Sequence, residues 1–159
     1  MPKSLSSITE GWSLSRSLPA YVQIGTAALG TLVLLWGLYG LIFVFGTMPG
    51  SESGFAEGLA LIIFGLYTLS GFVILSVGLL IPQGDASGIQ FTPRQRKLLG
   101  YGVVAPIVSV VLVPVWIQLG SPLPDPVEMV GLAGLLVLLV SGPLATLVAI
   151  GSKLRSWRR

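Results

Sequence analysis

The chain contains neither cysteine nor histidine, and only 9% of its 159 residues are charged. Without thiols there is no disulfide, thiolate nucleophile or Cys-based metal site. Without imidazoles as well, the usual ligands of zinc, copper and haem iron are missing. No G-x-x-x-x-G-K-[ST] segment occurs, so nucleotide hydrolysis is not indicated. The scarcity of charge, set beside 53% hydrophobic residues and a mean hydropathy of +0.89, excludes a soluble domain, because too little polar surface exists to cover one.

A further absence lies within the apolar stretches themselves. Apart from Glu57 and Glu128 at two of their edges, they hold no Asp, Glu, Lys, Arg or His. Such groups mark proton relays and ion paths, since each costs about 2.5 kcal/mol or more at the centre of a bilayer. A proton-coupled carrier would therefore lack its titrating residue. Ser70, Ser76, Ser109 and Ser141 likewise have no base nearby in sequence that could activate them. Neither a catalytic residue nor a cofactor or metal site is expected.

What is present is hydrocarbon in four blocks, at 21–46, 54–81, 98–119 and 127–151. Each exceeds the roughly 20 apolar residues that span a bilayer as a helix. Lys3, Arg16, Arg94, Arg96, Lys97, Lys153, Arg155, Arg158 and Arg159 all fall in segments that would then share one side. The two opposite connections carry only Glu52, Glu57, Asp125 and Glu128. Cytoplasmic loops retain Lys and Arg, so the expectation is an all-α integral membrane protein, a four-transmembrane-helix bundle with both termini inside. One membrane domain takes up the chain: an interfacial or cytoplasmic stretch 1–20, a basic loop 82–97 and a basic tail 152–159. The first block is too long for a signal-peptide h-region and reads as a signal anchor. The setting is a cell membrane, or alternatively a viral envelope membrane. The net charge of +3 needs no nucleic acid as partner, because span-end cations serve topology and contact anionic lipid or an acidic partner.

Local signals refine the outline. Ser7-Ile-Thr-Glu10 fits a capping box, and Leu5, Ile8 and Trp12 recur at helical spacing. A short interfacial helix is expected there, turned into the bilayer at Pro19. Thr26, Gly30, Gly37 and Gly40 share one face of the first span. In the second, Gly58 and Gly65 share a face and Gly71 and Gly78 another. Small residues in register let helices approach where lipid removes the hydrophobic drive, so these spans should form a tight antiparallel hairpin turned at Met48-Pro49-Gly50. The echo of Trp36-Gly-Leu-Tyr39 in Phe64-Gly-Leu-Tyr67 is too short to stand apart from shared composition. Pro106, Pro114 and Pro143 interrupt the last two spans and read as static kinks, the alternative being hinges. Gly102 lies four residues before Pro106 and eases packing there, while Ser109 and Ser141 are placed to bond freed carbonyls. Thr92-Pro93 and Asp125-Pro126-Val-Glu128 are helix starts with proline at N1. Trp12, Tyr21, Phe91 and Trp157 are expected as interfacial anchors.

The remaining polar groups are hydroxyls, amides and indoles, and their expected task is to bond one helix to another. Tyr39, Tyr67 and Thr68 could alternatively line a neutral polar cavity. The leading functional expectation is a non-enzymatic membrane component: an accessory subunit, scaffold, assembly or envelope protein. Its partners would be the lipid bilayer and other membrane subunits or further copies of itself. The alternative is a small oligomeric channel or carrier for an ion or neutral solute. Its pore would be lined by hydroxyls and by carbonyls freed at Pro106, Pro114 or Pro143, with Glu57, Asp125 and Glu128 as an acidic mouth.

Overall fold

The computed structural model describes residues 6–47, 54–81, 89–120 and 125–157. They form four α-helices: α1 Ser6–Thr47, α2 Phe55–Leu80, α3 Pro93–Gly120 and α4 Asp125–Trp157. No strand occurs among the described residues. All four helices are long and apolar enough to cross a membrane, over Ala20–Gly46, Phe55–Leu80, Pro93–Gln118 and Pro126–Trp157. The expected turn at Met48–Gly50, Arg158 and Arg159 lie outside the described residues.

Two boundaries depart from expectation. α1 runs uninterrupted through Pro19 for 42 residues, about 63 Å, so there is no separate interfacial helix and Ser7 already lies inside α1. A proline costs the helix one backbone bond but does not forbid it, particularly where water can serve the freed carbonyl. Phe91 is also no interfacial anchor. It is buried in a cluster with Leu79, Leu99 and Ala149. Tyr21 and Trp157 are exposed as an anchor should be.

The start of α3 follows its sequence closely. The Thr92 hydroxyl accepts from the Gln95 amide at 3.4 Å, and the Gln95 side-chain oxygen accepts from the Thr92 amide at 3.0 Å. This is a reciprocal capping box with Pro93 at N1. α2 starts differently, after Gly54 in the left-handed region at φ 33°, with no side-chain cap.

Neighbouring helices pair antiparallel, and the two pairs are built differently. Along α1, Gln23, Gly30, Gly37 and Val44 are all buried, a seven-residue spacing suited to a long shallow crossing. A Cβ at Gly30 would overlap the backbone of Leu75, one at Gly37 would meet Thr68, and one at Gly40 would strike the Phe64 ring. Gly71 and Gly78 of α2 reciprocate against Leu34 and Ala27. The other expected α2 face is not used in this contact, since no atom lies within 4 Å of where a Cβ would stand at Gly58 or Gly65.

The α3–α4 pair relies on side chains set into glycine gaps. Pro106 packs onto Gly142, and the Trp116 indole covers Gly131 and donates to the Glu128 carbonyl at 3.3 Å. The Ser109 hydroxyl crosses to the Leu135 carbonyl at 2.7 Å.

Among the described residues α1 packs against α2 and against neither α3 nor α4, whereas α2 touches all three. The apolar core gathers where α2 ends and α3 begins, around Leu79, Phe91, Leu99 and Ala149, with Ala27, Leu75 and Ile150 packed on it. Arg94, Arg96, Lys97, Lys153 and Arg155 lie at or beyond that same end of the molecule, termed the basic end below. Further from that end an apolar groove lies between α2 and α3.

Candidate functional site

Three features carry polar or unpartnered groups: a buried junction of α2, α3 and α4, a clamp on the α2–α3 connection, and an outward ridge on α1.

At the junction, the Ser76 and Thr146 hydroxyls are 2.7 Å apart and both fully buried. Thr146 also reaches the Gly142 carbonyl at 3.3 Å. Hydroxyl proton supply then orders the chain: Thr146 donates to Gly142, and Ser76 donates to Thr146. The pair fits because Gly102 has no side chain; a Cβ there would run into the Thr146 hydroxyl. Pro106 cannot donate to the Gly102 carbonyl, which instead faces the closely approaching backbone of Gly142. A second chain runs from the Tyr101 hydroxyl to Ser141 at 2.8 Å and on to the Leu138 carbonyl at 2.8 Å.

By sequence alone Gln23 is one amide among many polar groups, and its particular role is set by the fold. Its amide is buried and works as a backbone mimic. The side-chain nitrogen donates to the carbonyls of Ile89, at 3.2 Å, and Leu79, at 3.4 Å, and its oxygen accepts from the Ile89 amide at 3.3 Å. α1 is thereby tied to the end of α2 and to the chain entering α3. Gln95 makes a comparable tie across the basic end, donating to Ser152 of α4 at 2.9 Å. The only advance signal was placement: Gln23 lies seven residues before Gly30, in register with the buried face.

On the far side of α1 from α2, Trp36, Tyr39 and Phe43 form a continuous ladder. Ring centroids are 6.2 Å apart between Trp36 and Tyr39 and 6.4 Å between Tyr39 and Phe43. Trp36 is 60% and Tyr39 63% exposed, and neither the indole N–H nor the phenol has a hydrogen-bond partner among the described residues. Tyr67 is exposed on α2, and Thr68 bonds its own helix at the Phe64 carbonyl while filling the space over Gly37. Tyr39, Tyr67 and Thr68 therefore do not enclose a common polar cavity.

The charged candidates divide by end. Arg94, Arg96, Lys97 and Arg155 are exposed, and the Lys153 ammonium sits 5.9 Å from the centre of the Trp157 ring. Glu57 is in the first turn of α2 and Glu128 in that of α4, both half-buried, where the helix dipole favours a carboxylate. Asp125 is the first residue of α4. Among the described residues no group of three acidic side chains is placed to hold a metal ion. Of the prolines, Pro106 is buried, Pro143 half-buried and Pro114 exposed, and the helices continue through all three.

The groove between α2 and α3 has a volume of about 420 Å³ and is lined by Leu66, Leu69, Ser70, Val73 and Ile74 on one side and Pro106, Ile107, Val110 and Val111 on the other. It offers Ser70 as its single hydroxyl-bearing residue. Comparison of the chain with protein-family models, with curated proteins and with solved structures gave no match.

Proposed function

We propose that the chain is a non-enzymatic multi-pass membrane component, an accessory or scaffold subunit whose α1 docks another membrane helix. In this reading all four helices cross a cell membrane with the basic end in the cytoplasm, in keeping with retention of Lys and Arg on that side.

The α1 ridge carries the proposal. Trp36 lies ten residues before Gly46 at the end of the apolar span, about 15 Å along the axis and hence near the bilayer midplane. Interfacial tryptophans and tyrosines sit at headgroup level, where water serves their polar tips. An indole N–H and a phenol directed outward at mid-depth lack that water, and an unmet polar group in hydrocarbon is costly. A second protein surface supplying carbonyls or hydroxyls would satisfy both donors. The pairing of α1 with α2 alone leaves this face open to such a partner. By contrast, the buried hydroxyls and amides of the interior are taken up in holding helices together, in line with a structural role.

The test is a photo-crosslinking residue at Phe43 in cells expressing the chain at native level. A discrete protein adduct is expected, with its yield falling severalfold when Trp36→Phe and Tyr39→Phe remove the two donors. Its mass separates a second copy from a different subunit. No adduct at Phe43, or a yield indifferent to both substitutions, contradicts the proposal.

A further inference from the structure

We propose that the furrow between α2 and α3 holds one hydrocarbon chain of an anionic phospholipid whose phosphate pairs with Arg96. The inference needs the helices to cross a bilayer but is independent of any partner on α1.

The groove is apolar apart from Ser70 and contains about 420 Å³. A methylene takes about the space of a liquid water, roughly 30 Å³, so about a dozen fit.

The groove also has a direction. At about 100° per residue, Arg96 falls within about 20° of Ile107, which lines the groove roughly three turns further along α3. Between them, on the same face, Val103 is half-buried, and at Gly100 no atom lies within 4 Å of where a Cβ would stand. On α2 the track continues from Val73 to Val77, which is 41% exposed. By helical register Arg96 thus shares the face of α3 that carries the groove, about three turns toward the basic end. From Arg96 to Ile107 is about 16 Å along the helix, close to the thickness of one leaflet.

Charge selects the headgroup. The charged side chains that α3 and α4 place at the basic end are all cations, and Arg96 is exposed there. A guanidinium binds phosphate through paired N–H donors. Arg94 and Lys97 stand about 160° and 100° around the helix from Arg96, away from the furrow, and so serve as controls.

The experiment uses the full chain in mild detergent, offered equal amounts of phosphatidylglycerol and phosphatidylcholine and examined by native mass spectrometry. One retained phosphatidylglycerol is expected, at least fivefold over phosphatidylcholine. Arg96→Gln should bring that preference close to one, and Arg94→Gln should leave it. Gly100→Leu, which projects into open space, should lower retention of both lipids while far-UV circular dichroism is unchanged. If Gly100→Leu loses helicity, the two arginine variants decide alone. The proposal is overturned if the wild-type chain shows no preference, if Arg94→Gln and Arg96→Gln act alike, or if a lipid-free dimer forms.

Discussion

The two halves of this molecule solve one problem by different chemistry. In the proposed bilayer setting, apolar surface gains little by leaving its solvent, so helices must adhere by close packing or by hydrogen bonds. The α1–α2 hairpin uses packing: Gly30, Gly37, Gly71 and Gly78 bring the two backbones together. The α3–α4 hairpin uses insertion and bonding: Pro106 and Trp116 enter the gaps at Gly142 and Gly131, and Ser109 bonds across to Leu135. α2 is the common wall, joined to α1 by glycine and to α4 through the Ser76–Thr146 pair. A contact made of backbone proximity tolerates no added carbon, whereas a single hydrogen bond can be lost at modest cost.

That contrast grades the effects of substitution, each measured by SDS-titrated unfolding in mixed micelles. Gly71→Leu should be the most damaging, because its side chain would have to displace the backbone at Leu34. A loss of about 3 kcal/mol or more is expected, at or above the upper range for overpacking. A loss below about 1 kcal/mol would mean that α1 and α2 are not in this register. Gln23→Leu comes next. It removes the bonds to the Ile89 amide and to the Ile89 and Leu79 carbonyls, an expected cost of about 1–3 kcal/mol, with faster hydrogen exchange at Ile89 as its specific signature. Unchanged exchange there would remove the clamp from the account. Thr146→Val should cost least of the three, about 1.2 kcal/mol at about 0.6 kcal/mol per bond, since it keeps the shape and deletes the buried hydroxyl that bonds both Ser76 and the Gly142 carbonyl. Gly65→Ala, on the open face of α2, should be neutral or stabilising by up to about 1 kcal/mol. If Gly65→Ala and Gly71→Leu destabilised equally, the distinction between the two glycine faces would be lost.

The same physics separates what the sequence could say from what it could not. Helix number and the four apolar spans were legible, because length and apolarity decide them, as was the proline start of α3; the extension of α1 back through Pro19 was not. The capping box was completed by Gln95, whose side chain accepts the Thr92 amide. The α1 glycine face was also legible, since Gly30, Gly37 and Gly40 fall in one register. For α2 two glycine faces competed, and apolar residues all around the helix gave no way to choose. The mating of Gly71 and Gly78 with α1 is a tertiary fact. So is the burial of Phe91, which composition alone places at an interface. Gln23 looked like one polar group among many; its importance comes from Ile89, 66 residues away. The groove was not foreseeable either, because it lies between α2 and α3, and how two helices meet leaves no mark in a uniformly apolar pattern.

The most direct test of the central claim, four crossings with the basic end inside, exploits the absence of cysteine, which makes any introduced thiol unique. Glu52→Cys and Ser156→Cys variants would be treated in intact cells with a membrane-impermeant maleimide. The account predicts labelling of Glu52→Cys in intact cells and of Ser156→Cys only after lysis. Labelling of both from outside, or of Ser156→Cys alone, would contradict it.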